Sequence, residues 1–253
     1  MTKKFYMTPG SCSTGIHILL EECELVFEAY IVNLLAGDQY KKDYLTINPK
    51  GSIPALVLDD GSAITEFSAI AWWLARSYPK RQLLPDSIEG EVRVLGIMNY
   101  AVHTLHTQGF ARIFTSERFS SSAAEQESVK AQGRQIIDKG FAIVDRELAG
   151  REYVADRFGI ADAALFYVEF WAVRIGIPLP ENCAAHYRRM LTRPAVRQVL
   201  AEEAMPRRCA EGRHVFEICP KKAVDRNRLL GSADLDRIAS DGRWPGVTYG
   251  QTD

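Results

Sequence analysis

Residues 7–20 read MTPGSCSTGIHILL, and a cysteine stands where a loop gives way to an apolar run at helical spacing. The first turn of a helix offers unpaired N–H groups and a partial positive charge, and both stabilise an anion. The thiolate is the nucleophilic form of cysteine. Cys12 is therefore either reactive itself or one wall of a site that stabilises an anionic sulfur carried by a ligand. An inert, buried cysteine is the ordinary alternative. Ser13 beside it is the stronger hydrogen-bond donor and a second candidate. The run Cys12-Ser13-Thr14-Gly15 contains no resolving cysteine, so redox work here would be monothiol, with the ligand thiol as resolver.

Two further stretches could complete such a site. Ile53-Pro54 directly precedes an apolar run, and proline cannot donate to a strand ladder. It should sit on an irregular turn of the kind that accommodates a cis bond, leaving the backbone groups of Ile53 to pair with an extended ligand. Glu66 opens TEFSAI, another helix start, with N–H groups for a carboxylate and a side chain for an amine. An anion site, a strand-like edge and an amino-acid clamp together describe a peptide-shaped thiol ligand.

The elements that must position these residues alternate along the first eighty or so residues. KFYM and FEAYIVNL read as strands, STGIHILLEE as a helix, and DQYKKDYLTI as a weaker helix ending at Asn48-Pro49. IPALVLDDGSAIT places Asp60-Gly61 between two apolar runs, a strong hairpin signal. A helix follows, with a plausible start at Thr65. The order βαβαββα predicts an α/β unit with a mixed sheet. Beyond about residue 88 strand signals vanish, and 89–116, 123–149, 161–175 and 183–204 read as helices. Residues 79–87 hold two prolines and look like a connection. Gly159 and Asp162 are expected to cap a buried helix, a structural role. Residues 206–253 mix basic, glycine and proline positions and look irregular.

Composition excludes several classes. The chain has 253 residues, a formal net charge of −1, and 47% hydrophobic against 25% charged residues. No global field favours nucleic acid or anionic lipid. The sequence shows no secretory signal and no apolar run near the roughly 18 residues that span a bilayer. A cytoplasmic location is the expectation. The five cysteines and five histidines show neither CxxC nor HExxH spacing, so neither a disulfide framework nor a zinc site is expected.

PGSCS, NPKGSIPALVLDDG, TEFSAI, RQLLP, NYAVHTLH and FGIADAALF, in that order, resemble the glutathione transferases from about residue 4 to about residue 205. The cysteine at 12 resembles the bacterial beta class in particular. The resemblance implies a thioredoxin-like domain with a mixed four-stranded sheet (1–82), a linker (83–90), an all-helical domain (91–205) and an additional extension (206–253). It also implies a homodimer. Cys12, Ser13 and His106 would be catalytic at the sulfur, and Asn99, facing the same region, would bind glutathione. Leu34, Ser52, Ile53, cis-Pro54, Glu66 and Phe67 would hold glutathione as co-substrate, with no metal. Trp171 is expected to pack in the helical core, and His103 to be a partly exposed helix histidine. Phe67 replaces a small residue or serine, which leaves its backbone N–H as the contact. The lysine common at 34–38 is absent, and losing one charge-assisted contact costs about 1.5–3 kcal/mol of binding.

The implied activity is attack of the glutathione thiolate on a hydrophobic electrophile. That substrate would lie against Met7, Thr8 and Pro9, with Phe110, Phe114 and Phe119 as candidate lining residues. Two alternatives stand beside it: a glutathione-dependent disulfide reductase working through a Cys12 mixed disulfide, and a non-catalytic binding module closed by the extension.

Overall fold

The structure, a computed structural model, describes residues 2–204 and a two-residue strand at Ile218–Cys219. The extension expected over 206–253, and the reading in which it closes a binding module, otherwise lie outside the described residues. The chain divides into two compact units: one runs through Leu74 and resumes at Leu191, and the other is Ala75–Met190. These limits differ from the sequence-based boundaries, because the last described helix belongs with the first unit.

In the first unit β1 (Lys3–Met7), α1 (Ser13–Glu22) and β2 (Phe27–Ile31) form a βαβ unit whose strands pair parallel, Tyr6 opposite Tyr30. β3 (Ala55–Val57) pairs antiparallel with β1, and β4 (Ala63–Thr65) with β3. The expected mixed four-stranded sheet is present, ordered β4-β3-β1-β2, and β5 (Ile218–Cys219) adds two residues to the β2 edge. Successive side chains of β1 face opposite sides. Tyr6 stacks on Tyr30 at 4.9 Å between ring centroids and meets Tyr44 at 5.8 Å. Phe5 instead packs edge-on to Phe27 at 5.9 Å and against His17 of α1.

The Asp-Gly hairpin is there, with Gly61 at φ 86° and the Asp60 carboxylate accepting from the N–H and hydroxyl of Ser62. The weak helix before Asn48 is broken into a turn at Asp38–Tyr40 and the single turn α2 (Lys42–Leu45). α3 spans Phe67–Ser77, two residues later than the sequence suggests, because Thr65 is held in the β4 ladder opposite Ala55. α9 (Pro194–Ala204) packs on α1. The stretch expected as one helix over 183–204 is two, α8 (Glu181–Thr192) and α9. Pro194 disfavours helical backbone at Arg193 and is at home in a first turn.

In the second unit the helix expected over 89–116 is composite. α4 (Ile88–Asn99) runs into a π-helical stretch, Tyr100–Phe110, and closes with α5 (Ala111–Phe114). The Thr107 hydroxyl bonds the carbonyl of Val102, five residues back, which suits the wider π turn. α6 (Ala123–Glu147) approaches this stretch through small residues. A Cβ on Gly133 would lie 2.8 Å from the Gly109 carbonyl oxygen, and one on Gly140 would lie 2.4 Å from Leu105.

α7 (Ile160–Arg174) is buried along nearly its whole length. Asp162 does cap it, accepting from the N–H of Gly159 at 2.8 Å and of Val154 at 2.9 Å. The same carboxylate faces His186 Nε2 at 3.2 Å, while Glu169 takes Nδ1 at 2.8 Å, all three side chains being buried. Among the described residues no helix is long and apolar enough to cross a membrane.

Two outcomes follow from the second unit. Gly133→Ala is expected to destabilise, since overpacking against a backbone oxygen costs about 1–3 kcal/mol and the gain in helix propensity is about 1 kcal/mol; a lowered chemical-denaturation midpoint checks it. Burial pulls the His186 imidazole down, but Glu169 and Asp162 pull it up further, to about 10. With the folded value raised above the ordinary 6.5, its stabilising contribution is complete below about pH 6.5 and fades as pH rises through about 10. Ring-nitrogen shifts in NMR should show an imidazolium at pH values where an exposed histidine is neutral.

Candidate active site

α1 starts at Ser13, so Cys12 does stand at a helix N-terminus, in helical backbone geometry. The residue is 7% exposed and its thiol points at the Ile53 carbonyl, Sγ to O 3.9 Å. Burial pushes the thiol up to about 12; the N–H groups of Cys12 and Ser13 pull the other way, and the Glu66 carboxylate adds to the rise. The helix-start argument alone points toward a thiolate, yet desolvation outweighs it and the resting group is a neutral S–H. Cys23 and Cys183 are likewise buried.

The Ser13 hydroxyl is fully buried and turned into the loop. It donates to the Thr8 carbonyl at 2.9 Å, accepts from the Thr8 N–H at 3.1 Å, and pairs with the Ser11 hydroxyl at 2.6 Å. It ties the loop before Cys12 together.

The Ile53-Pro54 bond is cis. The backbone leading to it is held from beneath, where the Ser52 carbonyl accepts from the Tyr44 hydroxyl at 2.6 Å and the Asn48 side-chain amide at 2.7 Å. Tyr44 and Asn48 are fully buried. Leu34, half-buried, packs on the Tyr6–Tyr30 cluster, and its carbonyl accepts from the Gly37 N–H.

Glu66 has φ 74°, a left-handed conformation that costs a non-glycine residue about 1–3 kcal/mol and concentrates at functional sites. It sits at the start of α3, its carbonyl accepting from the Ile70 N–H. Its carboxylate meets Lys50 Nζ at 2.8 Å, and Lys50 also bonds the Thr65 hydroxyl. Phe67 is buried. The first unit thus brings Cys12, Ile53 and Glu66 together.

Sequence reading missed Lys50, whose only signal is its place in NPKGSIPA, and Glu203. The Glu203 carboxylate accepts from the Gly10 N–H at 2.8 Å and the Thr14 hydroxyl at 2.8 Å, and pairs with His17 Nδ1 at 3.1 Å.

A family model described as "Glutathione S-transferase, N-terminal domain" matches residues 10–77, and one described as "Glutathione S-transferase, C-terminal domain" matches 126–189. Glutathione S-transferase GstA of Escherichia coli O157:H7 is 36% identical over 211 residues, 80% of this chain and 99% of that protein. The chain belongs to the glutathione S-transferase family.

Among solved structures, a glutathione transferase homologue from Sulfitobacter with bound glutathione superposes with a TM-score of 0.73 at 28% identity, over 79% of this chain and 98% of that one. A bacterial beta-class transferase from Sphingomonas chungbukensis gives 0.68 at 30% identity, over 79% and 98%.

Within the helical unit of this transferase, His106 lies in the π-helical stretch, with Nδ1 3.3 Å from the Tyr167 hydroxyl. Burial holds its imidazole down to about 4, with His103 adding to the fall, so the ring is neutral at physiological pH. His103 is exposed. Trp171 is buried and packs against His106, Phe110, Phe114 and Tyr167, as expected of a core residue. Phe110 is fully buried, whereas Phe114 and Phe119 are exposed. Asn99 ends α4.

A thiol titrating near 12 should alkylate slowly. Labelling of the ligand-free protein with iodoacetamide, read at the Cys12 peptide by mass spectrometry, should accelerate with pH and show no plateau up to about pH 9.

Proposed function

We propose that this transferase binds glutathione along the Ile53 backbone edge and presents its sulfur, as the thiolate, to the start of α1 for attack on a hydrophobic electrophile. The observation that carries the reading is the buried Cys12 thiol at the end of that edge, its Sγ 3.9 Å from the Ile53 carbonyl; burial favours its neutral form. Two thiolates in contact would repel, and a protonated Cys12 meets a ligand thiolate as a donor instead. The N–H groups of the helix start add to the same stabilisation. The glutathione thiol gives its proton to water, its sulfur pair forms the new C–S bond, and the leaving group departs with the electrons of the bond it breaks.

The glutathione held by the Sulfitobacter homologue supports the choice of co-substrate. The strained Glu66 and the N–H groups of α3 suit the amine and carboxylate of a γ-glutamyl end, and Phe67 joins through its backbone. Lys50 supplies a cation at this end, where the 34–38 segment has none. A disulfide reductase needs Cys12 as the attacking thiolate, and burial opposes that.

Steady-state conjugation of a chlorinated nitroarene separates the roles. Glu66→Ala is expected to raise KM for glutathione about ten- to a hundredfold, the equivalent of about 1.5–3 kcal/mol, with kcat little changed. The Lys50–Glu66 pair is exposed and adds little to the fold. Ser13→Ala should lower stability rather than turnover, because it leaves the Thr8 N–H without its acceptor. Reduction of hydroxyethyl disulfide that depends on Cys12, without any conjugation by the unaltered protein, would overturn the assignment in favour of the reductase.

A further inference from the structure

Inside the first unit, α1 and α9 meet across a cluster that the glutathione site does not use. His17 is buried, and its Nδ1 pairs with the Glu203 carboxylate at 3.1 Å. The Glu203 carboxylate on Nδ1 orients the ring so that Nε2 is the nitrogen turned toward the other two carboxylates, the arrangement carboxylate–histidine–metal triads use. His17 Nε2 is buried and makes no hydrogen bond; it faces Glu202 Oε2 at 3.3 Å in a geometry unsuited to one. Glu21 stands one turn after His17 on α1. One ligand atom from each of His17, Glu21 and Glu202 lies within 4.8 Å of the other two. The two carboxylates are already oriented from outside: the side-chain amide of Gln198 donates to Glu21 Oε2 and to Glu202 Oε1, both at 3.0 Å.

We propose that His17 Nε2, Glu21 and Glu202 form a binding site for a divalent cation of the zinc class, clamping the helix that carries Cys12 to α9. One imidazole and two carboxylates with an outer layer of Glu203 and Gln198 suit a four-coordinate ion completed by water. Glu21 and Glu202 are only half-buried, so the ion reaches the site from solvent. In the metal-free chain the Glu202–His17 contact is an ion pair, and the cation takes the place of the proton. Spacing rules miss the site because Glu202 arrives from the far end of the chain, while His17 and Glu21 alone are an unremarkable i, i+4 pair.

Calorimetric titration of the metal-stripped full chain with zinc chloride should give one ion per chain and a rise in Tm. Cobalt(II) in its place should show ligand-field bands without a thiolate charge-transfer band. Glu21→Gln and Glu202→Gln keep the shape of each side chain and should each weaken zinc binding about tenfold or more, and Gln198→Ala about tenfold. Their circular dichroism and conjugation rate should stay those of the unaltered protein. Absence of zinc binding, an affinity unchanged in both carboxamide variants, or a cobalt–thiolate band would each overturn the proposal.

Discussion

One carboxylate organises the first unit. Glu203, with no side-chain exposure, gathers the N–H of Gly10, the hydroxyl of Thr14 and the ring of His17. A buried charge with no partners costs several kcal/mol, so α9, the loop and α1 have to come together around it. Cys12 lies between two of those anchor points, and its place follows from theirs. The interlocked Thr8, Ser11 and Ser13 bonds then remove the remaining freedom of the loop.

The facing wall obeys the same logic with neutral groups. Tyr44 and Asn48, both buried, fix the Ser52 carbonyl and with it the backbone edge at Ile53. Glu66 is held in a conformation it would not choose, pinned between the β4 ladder and the first hydrogen bond of α3. Each wall is set by residues standing behind it, so Cys12, the Ile53 edge and Glu66 are held in place by the fold itself.

What could be read from sequence divides along the range of the signal. Asp60-Gly61, Ile53-Pro54, the loop-to-helix step at Cys12 and the Gly159–Asp162 cap are written within a few consecutive residues. Glu203, His186 between Asp162 and Glu169, and the Lys50–Glu66 pair depend on chain distances that periodicity does not report. The π-helical stretch escaped because its apolar spacing also satisfies an ordinary helix, and the contacts of Gly133 and Gly140 with it are tertiary. For Cys12 the local argument was incomplete in a different way. Position at a helix end argues for a lowered pKa, but burial, invisible in sequence, is the larger effect and reverses the sign.

The discontinuous make-up of the first unit has a consequence for how the protein is born. A ribosome that has released residues 1–74 has supplied every strand from β1 to β4, together with Cys12, Ile53 and Glu66, yet not Glu203. The whole of the second unit must emerge before α9 can close on α1. Domains generally fold in the order they are made, but here residues 1–74 wait for α9, and the loop around Cys12 takes its final form only after the whole of the second unit has emerged.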